Sequence, residues 1–400
     1  MTGHPGPLTD IRVVEMGQLI AGPFCGQLLA DFGADVIKVE PPGKGDPMRE
    51  WGREKAGGES LWFPVIARGK RSLTLDLRQK QGQALARDLI AKADILIENF
   101  RPGTMERWGL DYATLAARNP GLIMVRVTGY GQTGPYAARA GFGAVGEAMG
   151  GLRYVVGDPS TPPSRVGISI GDSLAATYAC LGAVMALHAR ARTGRGQVVD
   201  SAIYEAVLAN MESLVSEFNH TGHIRERTGA ILPKIAPSNV YPTRDGLGIL
   251  IAANQDTVFV RLCAAMGRAE LAADPRYATH TARGERQQEL DALVAEWTRT
   301  QDAATLEALM NANGIPAGRI YRAPDMMNDP HFIAREAIIR LAHPQLGEIA
   351  MQNIAPRLSD TPGKIRSPGP ALGQHTREVL GTLLNLDAAE ISRLAEARIV

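Results

Sequence analysis

The sequence predicts an α/β protein with a large Rossmann-like domain, built on a mostly parallel sheet, and a smaller α/β domain. Between Ile11 and Thr128, short apolar runs alternate with stretches of helical periodicity, a pattern typical of parallel strands joined by helices. Of the 400 residues, 45% are hydrophobic and 43 are glycine, which suffices for more than one core. The 43 Lys and Arg residues balance 42 Asp and Glu residues. The net charge therefore excludes a global field that would bind nucleic acid or an anionic membrane surface.

The first region is expected to alternate between strands and helices. Strands are predicted at residues 12–16, 35–40, 73–75, 94–98 and 122–128, with helices at 23–32 and 79–92. Ligands of parallel sheets bind in the loops that follow the strands. These loops contain the Gly, Pro and Arg residues that a binding rim needs, at residues 16–23, 40–53, 99–103 and 129–136.

Changes in composition divide the chain further. We expect residues 1–215 to begin the large domain, 216–238 to form a linker, 239–322 to form the small domain, and 323–400 to return and complete the large domain. The small domain has one predicted strand, at 247–252, followed by helices, which fits an α/β or an α+β unit. An apolar helix at 174–191 is interrupted by polar residues, so we expect it to be buried and not to span a membrane.

Targeting signals and metal-binding patterns are not evident in the sequence. The first ten residues show no basic region followed by an apolar stretch, so a cytoplasmic location is expected. Cys25, Cys180 and Cys263 are far apart among apolar neighbours, which predicts free thiols. The closest pair among the eight histidines has no carboxylate or cysteine at ligand spacing, so we expect no metal site.

Residues 129–134 match the G-x-G-x-x-G pattern of dinucleotide-binding loops and follow a predicted strand. Pro135 follows at once, the stretch ends the sheet pattern instead of opening it, and no acidic strand end stands about 20 residues further on. An ordinary glycine turn is the favoured interpretation. An NAD-dependent oxidoreductase remains a rival class.

Asp172 stands at the start of the long predicted helix, between Gly171 and Ser173. The pattern alone indicates an N-cap or first-turn residue, which binds exposed N–H groups of the helix. The same position favours an ionised carboxylate, available as a nucleophile toward an activated acyl group. Gly167 and Gly171 would allow a bulky thioester to approach. Composition does not choose between the two interpretations.

Basic residues cluster in the first region, several of them at predicted strand ends. They are Lys38, Arg49, Arg53, Arg68, Lys70, Arg71, Arg78, Arg101 and Arg107. Most surface Lys and Arg side chains are merely solvated. Their grouping nevertheless indicates a polyanionic ligand, because phosphates are bound by Arg forks and Lys charges.

In this order and spacing, the motifs resemble the class III CoA-transferases, or CaiB/BaiF family, over nearly the whole chain. The motifs lie at residues 20–23, 33–40, 45–46, 70–76, 98–103, 129–131, 134–135, 171–172, 193–197 and 372–376. The chain is most similar to the branch that uses succinyl-CoA to activate small dicarboxylates such as itaconate, glutarate, mesaconate or malate. The resemblance implies two domains, two chains interlocked as rings into a homodimer, CoA thioesters as substrates and no permanently bound cofactor.

The resemblance also implies site residues. The catalytic aspartate falls on Asp172. The predicted CoA-binding residues are Leu19, Ile20, Ala21, Lys38, Leu75, Arg78, Asn99, Phe100, Arg101, Arg107 and Phe142. An arginine of the oxalate-specific members falls on Pro41, and Lys38 or Arg49 is expected to replace it. The substrate loop falls on Asn254 and Gln255 and lacks the glycine run of those members, so oxalate is not the expected acceptor.

Racemases of the family pair the aspartate with a histidine, because epimerisation needs a base on each face of the α-carbon. That histidine falls on Phe142, in a Gly-Phe-Gly sequence that replaces Gly-His-Asp. The expected function is therefore CoA transfer from succinyl-CoA to a dicarboxylate, with itaconate or glutarate as examples, through an aspartyl-CoA intermediate. An acyl-CoA racemase and a non-catalytic CoA-binding relative are the alternatives. A cation for the distal carboxylate is expected from Arg49, Arg225, Arg227 or Lys234.

Overall fold

A computed structural model describes residues 6–400, and its elements alternate in the first region as the sequence predicts. The strands are β1 (Arg12–Glu15), β2 (Asp35–Glu40), β3 (Lys55–Ala56), β4 (Glu59–Ser60), β5 (Arg71–Thr74), β6 (Ile95–Glu98), β7 (Ile123–Thr128), β8 (Val198–Ala202), β9 (Ser238–Pro242), β10 (Gly248–Ala252), β11 (Ala317–Arg319), β12 (Ile338–His343) and β13 (Gly347–Gln352). The helices are α1 (Ala21–Asp31), α2 (Phe63–Ile66), α3 (Lys80–Ile90), α4 (Thr104–Arg107), α5 (Tyr112–Arg118), α6 (Gly143–Met149), α7 (Leu152–Val155), α8 (Ile170–Thr193), α9 (Ile203–Leu208), α10 (Leu214–Thr221), α11 (Asp256–Ala265), α12 (His280–Glu285), α13 (Gln287–Thr298), α14 (Ala303–Ala312), α15 (Ala323–Asn328), α16 (Pro330–Ala334), α17 (Thr376–Leu384) and α18 (Ala388–Glu396). Single 3-10 turns lie at Pro47–Arg49 and Ala269–Ala272.

The chain forms two compact units, each assembled from separate segments. The first unit comprises residues 6–152, Val166–Leu214 and Ala334–Val400. The second comprises Arg153–Arg165 and Val215–Ile333. The second unit thus contains the segment expected to be a linker, residues 216–238. It also contains a short segment from within the first half of the chain, for which composition gave no signal.

A six-stranded parallel sheet is the centre of the first unit, in the order β5-β2-β1-β6-β7-β8. The chain moves outward from β1 through β2 to β5 and then returns to β6 on the other side of β1. This reversal leaves a crevice at the carboxyl ends of β1 and β6, where doubly wound sheets bind ligands. The predicted large parallel sheet is confirmed.

The sheet is buried because helices cover both of its faces. Side chains that alternate along the strands, Val14, Ile37, Leu73, Leu96 and Met124, share one apolar cluster with residues of α3, α17 and α18. Helix α1 packs over β1, β2, β6 and β7 and against α8. The carboxyl-terminal segment therefore completes the core of the first unit.

Helix α8 is only partly buried. Its alanines at 175, 179, 183 and 186 are buried, whereas Tyr178, Leu181, Val184 and Met185 are 39% to 60% exposed. By length and composition the helix could cross a membrane, a test that core helices of soluble proteins also pass, and 33% of its most apolar stretch is buried. The prediction of a buried helix therefore holds for its alanine face only.

The second unit contains a three-stranded antiparallel sheet in the order β11-β10-β9. Residues of α11, α13 and α14 pack on the sheet in one apolar cluster around Ile249, Ile251 and Leu306. This unit is therefore α+β, one of the two types that the sequence left open, and its antiparallel sheet excludes the α/β type. Strands β9 and β11 are short and contain polar residues or glycine, so their sequences gave no strand signal.

Candidate active site

A groove of about 490 Å³ opens at the carboxyl ends of β1, β2, β5 and β6. Three predicted CoA-binding residues line it, namely Leu75, Arg78 and Phe100. Phe100 packs edge to face on Trp108, with ring centres 5.1 Å apart. The groove therefore combines aromatic and apolar walls with an exposed cation.

Two further predicted cations stand near this rim. Arg101 follows Phe100 in the chain, Arg107 precedes Trp108, and both are exposed. Arg107 Nη2 donates to Thr104 Oγ1 at 2.9 Å. Both guanidinium groups are accessible to an anionic ligand.

Arg78 is paired with a carboxylate although its side chain is 81% exposed. Its Nε donates to Asp76 Oδ1 at 2.9 Å and its Nη2 to Asp76 Oδ2 at 3.0 Å. These hydrogen bonds from Arg78 lower the pKa of Asp76 to about 2. Asp76 thus orients the guanidinium at the rim, and a phosphate ligand would compete with Asp76 for it.

Lys38 does not reach the groove. Its side chain is fully buried, with Nζ 3.0 Å from Glu15 Oε1 and 2.9 Å from the carbonyl oxygen of Gly17. Nζ also lies 2.7 Å from Asp46 Oδ2, as an ion contact without hydrogen-bond alignment. Burial alone would lower the pKa of Lys38, but Glu15 and Asp46 outweigh it and raise the pKa. The prediction that Lys38 binds CoA is therefore wrong, because its charge is already neutralised inside the protein.

Arg49 is also engaged within the protein. Its Nε and Nη2 each donate to the carboxylate of Glu40 at 2.8 Å, and its guanidinium lies 3.7 Å from the ring centre of Phe63. The structure therefore contradicts Arg49 as a replacement for the arginine absent at Pro41. Lys44, which was not predicted from the sequence, is exposed and lines the groove.

A buried ion network fixes the loop after β1. Glu15 accepts from Lys38 through one oxygen and from Lys70 through the other, at 3.0 and 2.6 Å. Lys38 also donates to the carbonyl of Gly17, and Lys70 to that of Pro23 at 2.6 Å. The two lysines thereby anchor the backbone on both sides of the predicted CoA-binding residues at 19–21.

Leu19 within this loop has a φ of +63°, a left-handed conformation that is uncommon for residues other than glycine. Asp46 Oδ1 accepts from the Leu19 N–H at 3.0 Å. The side chain of Asn99 accepts from the N–H of Gln18 and donates to its carbonyl, both at 2.8 Å. Asn99 therefore positions the loop. Leu19 and Ile20 are partly exposed there, whereas Ala21 is buried at the start of α1.

Asp172 is the third residue of α8 and is partly buried. It lies in the first helical turn, one of the two positions that the sequence predicts. Its carboxylate packs directly on the backbone of Gly143, the first residue of α6. A Cβ built on Gly143 would overlap Asp172 Oδ2 and lie 2.7 Å from Asp172 Cγ. Asp172 therefore lies next to the segment at Phe142 and Gly143, where the racemases of the family have their histidine.

Phe142 immediately precedes Gly143 and is the N-cap residue of α6. Its side chain is 63% exposed. A phenyl ring neither accepts nor donates a proton, so position 142 supplies no second base beside Asp172.

Glu147 is a buried residue of this site that was not predicted from the sequence. Its side chain is 1% exposed, and its Oε1 accepts from the Gly171 N–H at 3.3 Å. It lies one helical turn after Gly143. Residues four apart on a helix share one face, so Glu147 could have been placed on the same face as Gly143 from the sequence. This placement indicates a role beside Asp172 only once α6 is known to pack on the start of α8.

Asn254 and Gln255, the predicted substrate loop, lie in the second unit between β10 and α11. Arg283 is fully buried and donates to the Asn254 carbonyl at 2.7 Å and to Asp256 Oδ1 at 2.6 Å. Gln255 is exposed. Arg283 therefore holds the loop in place. This role could not be predicted from the sequence, because Arg283 lies 29 residues after Asn254 and belongs to no motif.

The cations expected for a distal carboxylate have partners within the protein. Arg225 pairs with Glu217 at 2.7 Å, and Arg227 donates to the carbonyl of Tyr154 at 3.1 Å. Lys234 lies 3.8 Å from Glu285 with a side chain 78% exposed. The structure singles out none of them.

The glycine stretch at residues 129–134 forms a turn after β7. Gly131 and Gly134 have φ values of +84° and +85°, and Asp200 Oδ2 accepts from the Gln132 N–H at 2.8 Å. The next helix begins only at Gly143. The loop therefore does not open a helix, as a dinucleotide-binding loop does.

Comparisons with known proteins identify the family of this chain and several relatives. The chain matches the model of CoA-transferase family III over residues 8–376. It is 61% identical to succinyl-CoA–D-citramalate CoA-transferase of Chloroflexus aurantiacus, over 99% of this chain and 98% of the relative. It is 42% identical to the succinyl-CoA–L-malate CoA-transferase alpha subunit of Chloroflexus aurantiacus, over 98% and 92%. A solved CAIB/BAIF family protein from Brucella suis superposes with a TM-score of 0.86 at 37% identity, over 95% of this chain and 100% of that one.

Proposed function

This chain belongs to CoA-transferase family III, and from that premise we propose that it transfers CoA from succinyl-CoA to a 2-hydroxydicarboxylate through a covalent Asp172–CoA intermediate. The observation on which the proposal rests is the carboxylate of Asp172, partly buried on the backbone of Gly143 in the unit that contains the groove. Two of the relatives are named for succinyl-CoA as donor and for citramalate or malate as acceptor. Both acceptors are dicarboxylates with a hydroxyl group on carbon 2. Itaconate and glutarate, expected from the sequence, lack this hydroxyl group and become the comparison substrates.

The groove is proposed as the CoA site. The phosphates of CoA would bind Arg78, Arg101, Arg107 and Lys44, which are exposed at or beside its rim. Leu75, Phe100 and Trp108 would contact the less polar parts of the nucleotide. The groove opens at the reversal of strand order, which is where a parallel sheet of this type binds nucleotides.

The first half-reaction forms the enzyme thioester. A carboxylate oxygen of Asp172 attacks the thioester carbon of succinyl-CoA, the carbon–sulfur bond breaks, and CoA thiolate leaves a mixed anhydride behind. The thiolate then attacks Cγ of Asp172 and breaks its bond to the bridging oxygen. Succinate departs with that oxygen, and Asp172 remains as the CoA thioester.

The second half-reaction repeats these steps with the acceptor. An acceptor carboxylate attacks Cγ of Asp172 and releases CoA thiolate, which then attacks the acceptor carbon of the new anhydride. Asp172 is regenerated with one oxygen from the acceptor, and the acceptor leaves as its CoA thioester. No proton is gained or lost overall. The amino-terminal end of α8 favours the anionic form of Asp172 at the start and end of the cycle.

Racemisation is disfavoured by Phe142, which offers no base on the second face of an α-carbon. A binding-only role would leave the nucleophile without use, and it is tested below by substitution of Asp172.

We also propose the homodimer implied by the resemblance, with a second copy covering the exposed apolar face of α8, defined by Tyr178, Leu181, Val184 and Met185. Contiguous exposed apolar side chains mark interaction surfaces. Light scattering that gives twice the chain mass supports this assembly, and a monomer contradicts it. A cytoplasmic location remains a prediction from the sequence.

Substitution of the nucleophile tests the function. We expect Asp172→Ala to lower turnover of succinyl-CoA and D-citramalate or L-malate by at least about 10³-fold, because the substitution removes the carboxylate that forms the anhydride. The melting temperature should change by less than about 3 °C, since Asp172 is only partly buried. New CoA thioesters, followed by mass spectrometry, are the readout.

The matched control is Asp111→Ala. Asp111 caps α5 by accepting from the Thr114 N–H at 2.9 Å, so its loss should cost about 1 kcal/mol of unfolding free energy and leave turnover intact. Retained turnover in Asp172→Ala would refute the mechanism. Equal or faster transfer to glutarate and itaconate would refute the preference for a 2-hydroxydicarboxylate.

A further inference from the structure

We propose that Gly143 and Glu147, one turn apart on α6, form a seat that positions the carboxylate of Asp172 for both of its reactions. Gly143 provides the space for the carboxylate, and Glu147 fixes the peptide N–H of Gly171, the residue before the nucleophile. The inference rests on the proposed role of Asp172 as the nucleophile. Neither Gly143 nor Glu147 was predicted to have a role from the sequence alone.

The first observation is the close approach of Asp172 to Gly143. A Cβ on Gly143 would overlap Oδ2 and lie 2.7 Å from Cγ and 3.0 Å from Oδ1 of Asp172. Carbon atoms in ordinary contact lie about 3.5–4.0 Å apart, so any larger residue at 143 must displace the carboxylate by about 1 Å. The Asp of the racemase pattern Gly-His-Asp would fall on this position. In this chain, by contrast, the carboxylate of Asp172 occupies the space that a side chain at position 143 would fill.

The second observation is the buried carboxylate of Glu147. At 1% exposure it has lost almost all contact with water, and a buried carboxylate is costly unless it is hydrogen-bonded. One of its partners is the Gly171 N–H, at 3.3 Å. That N–H belongs to the first turn of α8, where no helical acceptor is available for it. Glu147 thus determines where the peptide before Asp172 lies.

The third observation is that α6 is packed closely on both sides, so it cannot move away from Asp172. A Cβ on Gly171 would lie 2.9 Å from Glu147 Cγ and 3.0 Å from the Gly143 carbonyl oxygen. On the other side of α6, a Cβ on Gly146 would overlap Ile203 Cγ2 and lie 2.9 Å from Ile203 Cβ of α9. Interiors packed this closely transmit a displacement instead of absorbing it. A change at the seat should therefore move Asp172 and not α6.

The chemistry explains why such a fixed position matters. Asp172 must first attack a thioester carbon, and its own Cγ must then be attacked by the thiolate it released. Both steps require the reacting atoms to lie within about 3.5 Å and in line, and a misplacement of about 1 Å can cost about 100-fold in rate. The seat would keep Cγ in one place while Asp172 changes from carboxylate to anhydride to thioester.

The experiment compares Gly143→Ala, Glu147→Ala, Glu147→Gln and Gly150→Ala with the wild-type protein. The readout is exchange of isotope-labelled succinate into succinyl-CoA, which needs only the donor and its product and no foreign acceptor. Steady-state kcat, KM for succinyl-CoA and the melting temperature are measured for each protein.

We expect Gly143→Ala to lower kcat by about 100-fold or more, with KM for succinyl-CoA within about threefold of wild type. Glu147→Ala should lower kcat by about 10- to 100-fold, because the Gly171 N–H loses its acceptor. Glu147→Gln keeps an oxygen that can accept from Gly171 and should recover most of that loss. Gly150→Ala adds a methyl group against Val207, so it should lower the melting temperature and leave kcat within about twofold.

Four results would overturn the seat. They are a Gly143→Ala protein with more than a third of wild-type kcat, a Glu147→Gln protein as slow as Glu147→Ala, a loss carried by KM alone, and a Gly150→Ala protein as slow as Gly143→Ala. If Gly143→Ala does not fold, the two Glu147 variants decide. Absence of exchange in the wild-type protein would instead refute the proposed use of succinyl-CoA, which separates the two failures.

Discussion

The groove proposed for CoA and the seat of Asp172 lie in the same unit but are stabilised by different kinds of contact. The loop beside the groove is anchored by buried charges, with Glu15 between Lys38 and Lys70 and Asp46 beneath Leu19. The seat is built from glycines, and its one buried carboxylate, Glu147, accepts from a backbone N–H. Buried ion pairs therefore hold the loop beside the groove, whereas close contacts with glycine backbone hold the seat of Asp172.

The difference teaches how each region should respond to change. A buried ion network depends on every partner, because removal of one leaves an uncompensated charge. A close approach of backbones depends on the absence of atoms, because a single methyl group must displace a neighbour. The anchored loop should therefore be sensitive to loss of charge, and the seat to gain of volume.

The largest effect on stability is expected at Glu15. Glu15→Gln keeps the shape of the side chain but leaves the buried ammonium groups of Lys38 and Lys70 without their shared carboxylate. We expect the free energy of unfolding to fall by about 3–5 kcal/mol, as for other buried pairs that lose one partner. Urea denaturation at neutral pH measures it.

The control for Glu15 is a carboxylate in an exposed pair. Glu378 pairs with Arg71 at 3.0 Å and its side chain is 53% exposed. Glu378→Gln should lower the free energy of unfolding by less than about 1 kcal/mol, because water screens the pair. If Glu15→Gln costs no more than this control, buried charge does not stabilise the loop and the comparison fails.

A smaller effect is expected at the rim of the groove. Arg78→Ala removes an exposed guanidinium whose partner, Asp76, lines the same groove. We expect KM for succinyl-CoA to rise by about tenfold with kcat unchanged, because a hydrogen bond to a charged group contributes about 1.5–3 kcal/mol before competition with Asp76. Steady-state kinetics at low ionic strength provide the measurement.

Salt sharpens the test of Arg78. The difference in KM between Arg78→Ala and wild type should shrink as salt is raised, since exposed charges are screened. Arg118→Ala is the matched control, because Arg118 forms an exposed pair with Asp88 at 2.9 Å and does not line the groove. An equal rise in KM for Arg78→Ala and Arg118→Ala would mean that Arg78 affects CoA binding through the net charge of the protein and not through direct contact with CoA.

Local patterns in the sequence determined the large sheet and the place of Asp172 at the start of a helix. Strand β2 (Asp35–Glu40) lies where the apolar pattern predicts it, and helix α3 (Lys80–Ile90) lies within the helix predicted at 79–92. Asp172 lies in the first turn of its helix, one of the two predicted positions. Alternation of apolar residues, glycine-containing loops and helix-start residues are properties of a few neighbouring residues, so they can be detected along the chain. The resemblance added the family, which the comparisons confirm.

The tertiary structure decided which charges face the ligand and which face each other. The sequence does not distinguish Lys38, which is buried against Glu15, from Lys44, which lines the groove. The apolar pattern of α8 does not say whether its second face meets the core or another chain. The motif at 372–376 gains its role only by contact with β5, where His375 Nδ1 accepts from Ser72 N at 3.1 Å across 303 positions of sequence. Glu147 likewise acquires its partner, Gly171, only when α6 packs on α8. Such pairings depend on contacts between residues distant in sequence, and no local pattern of residues contains them.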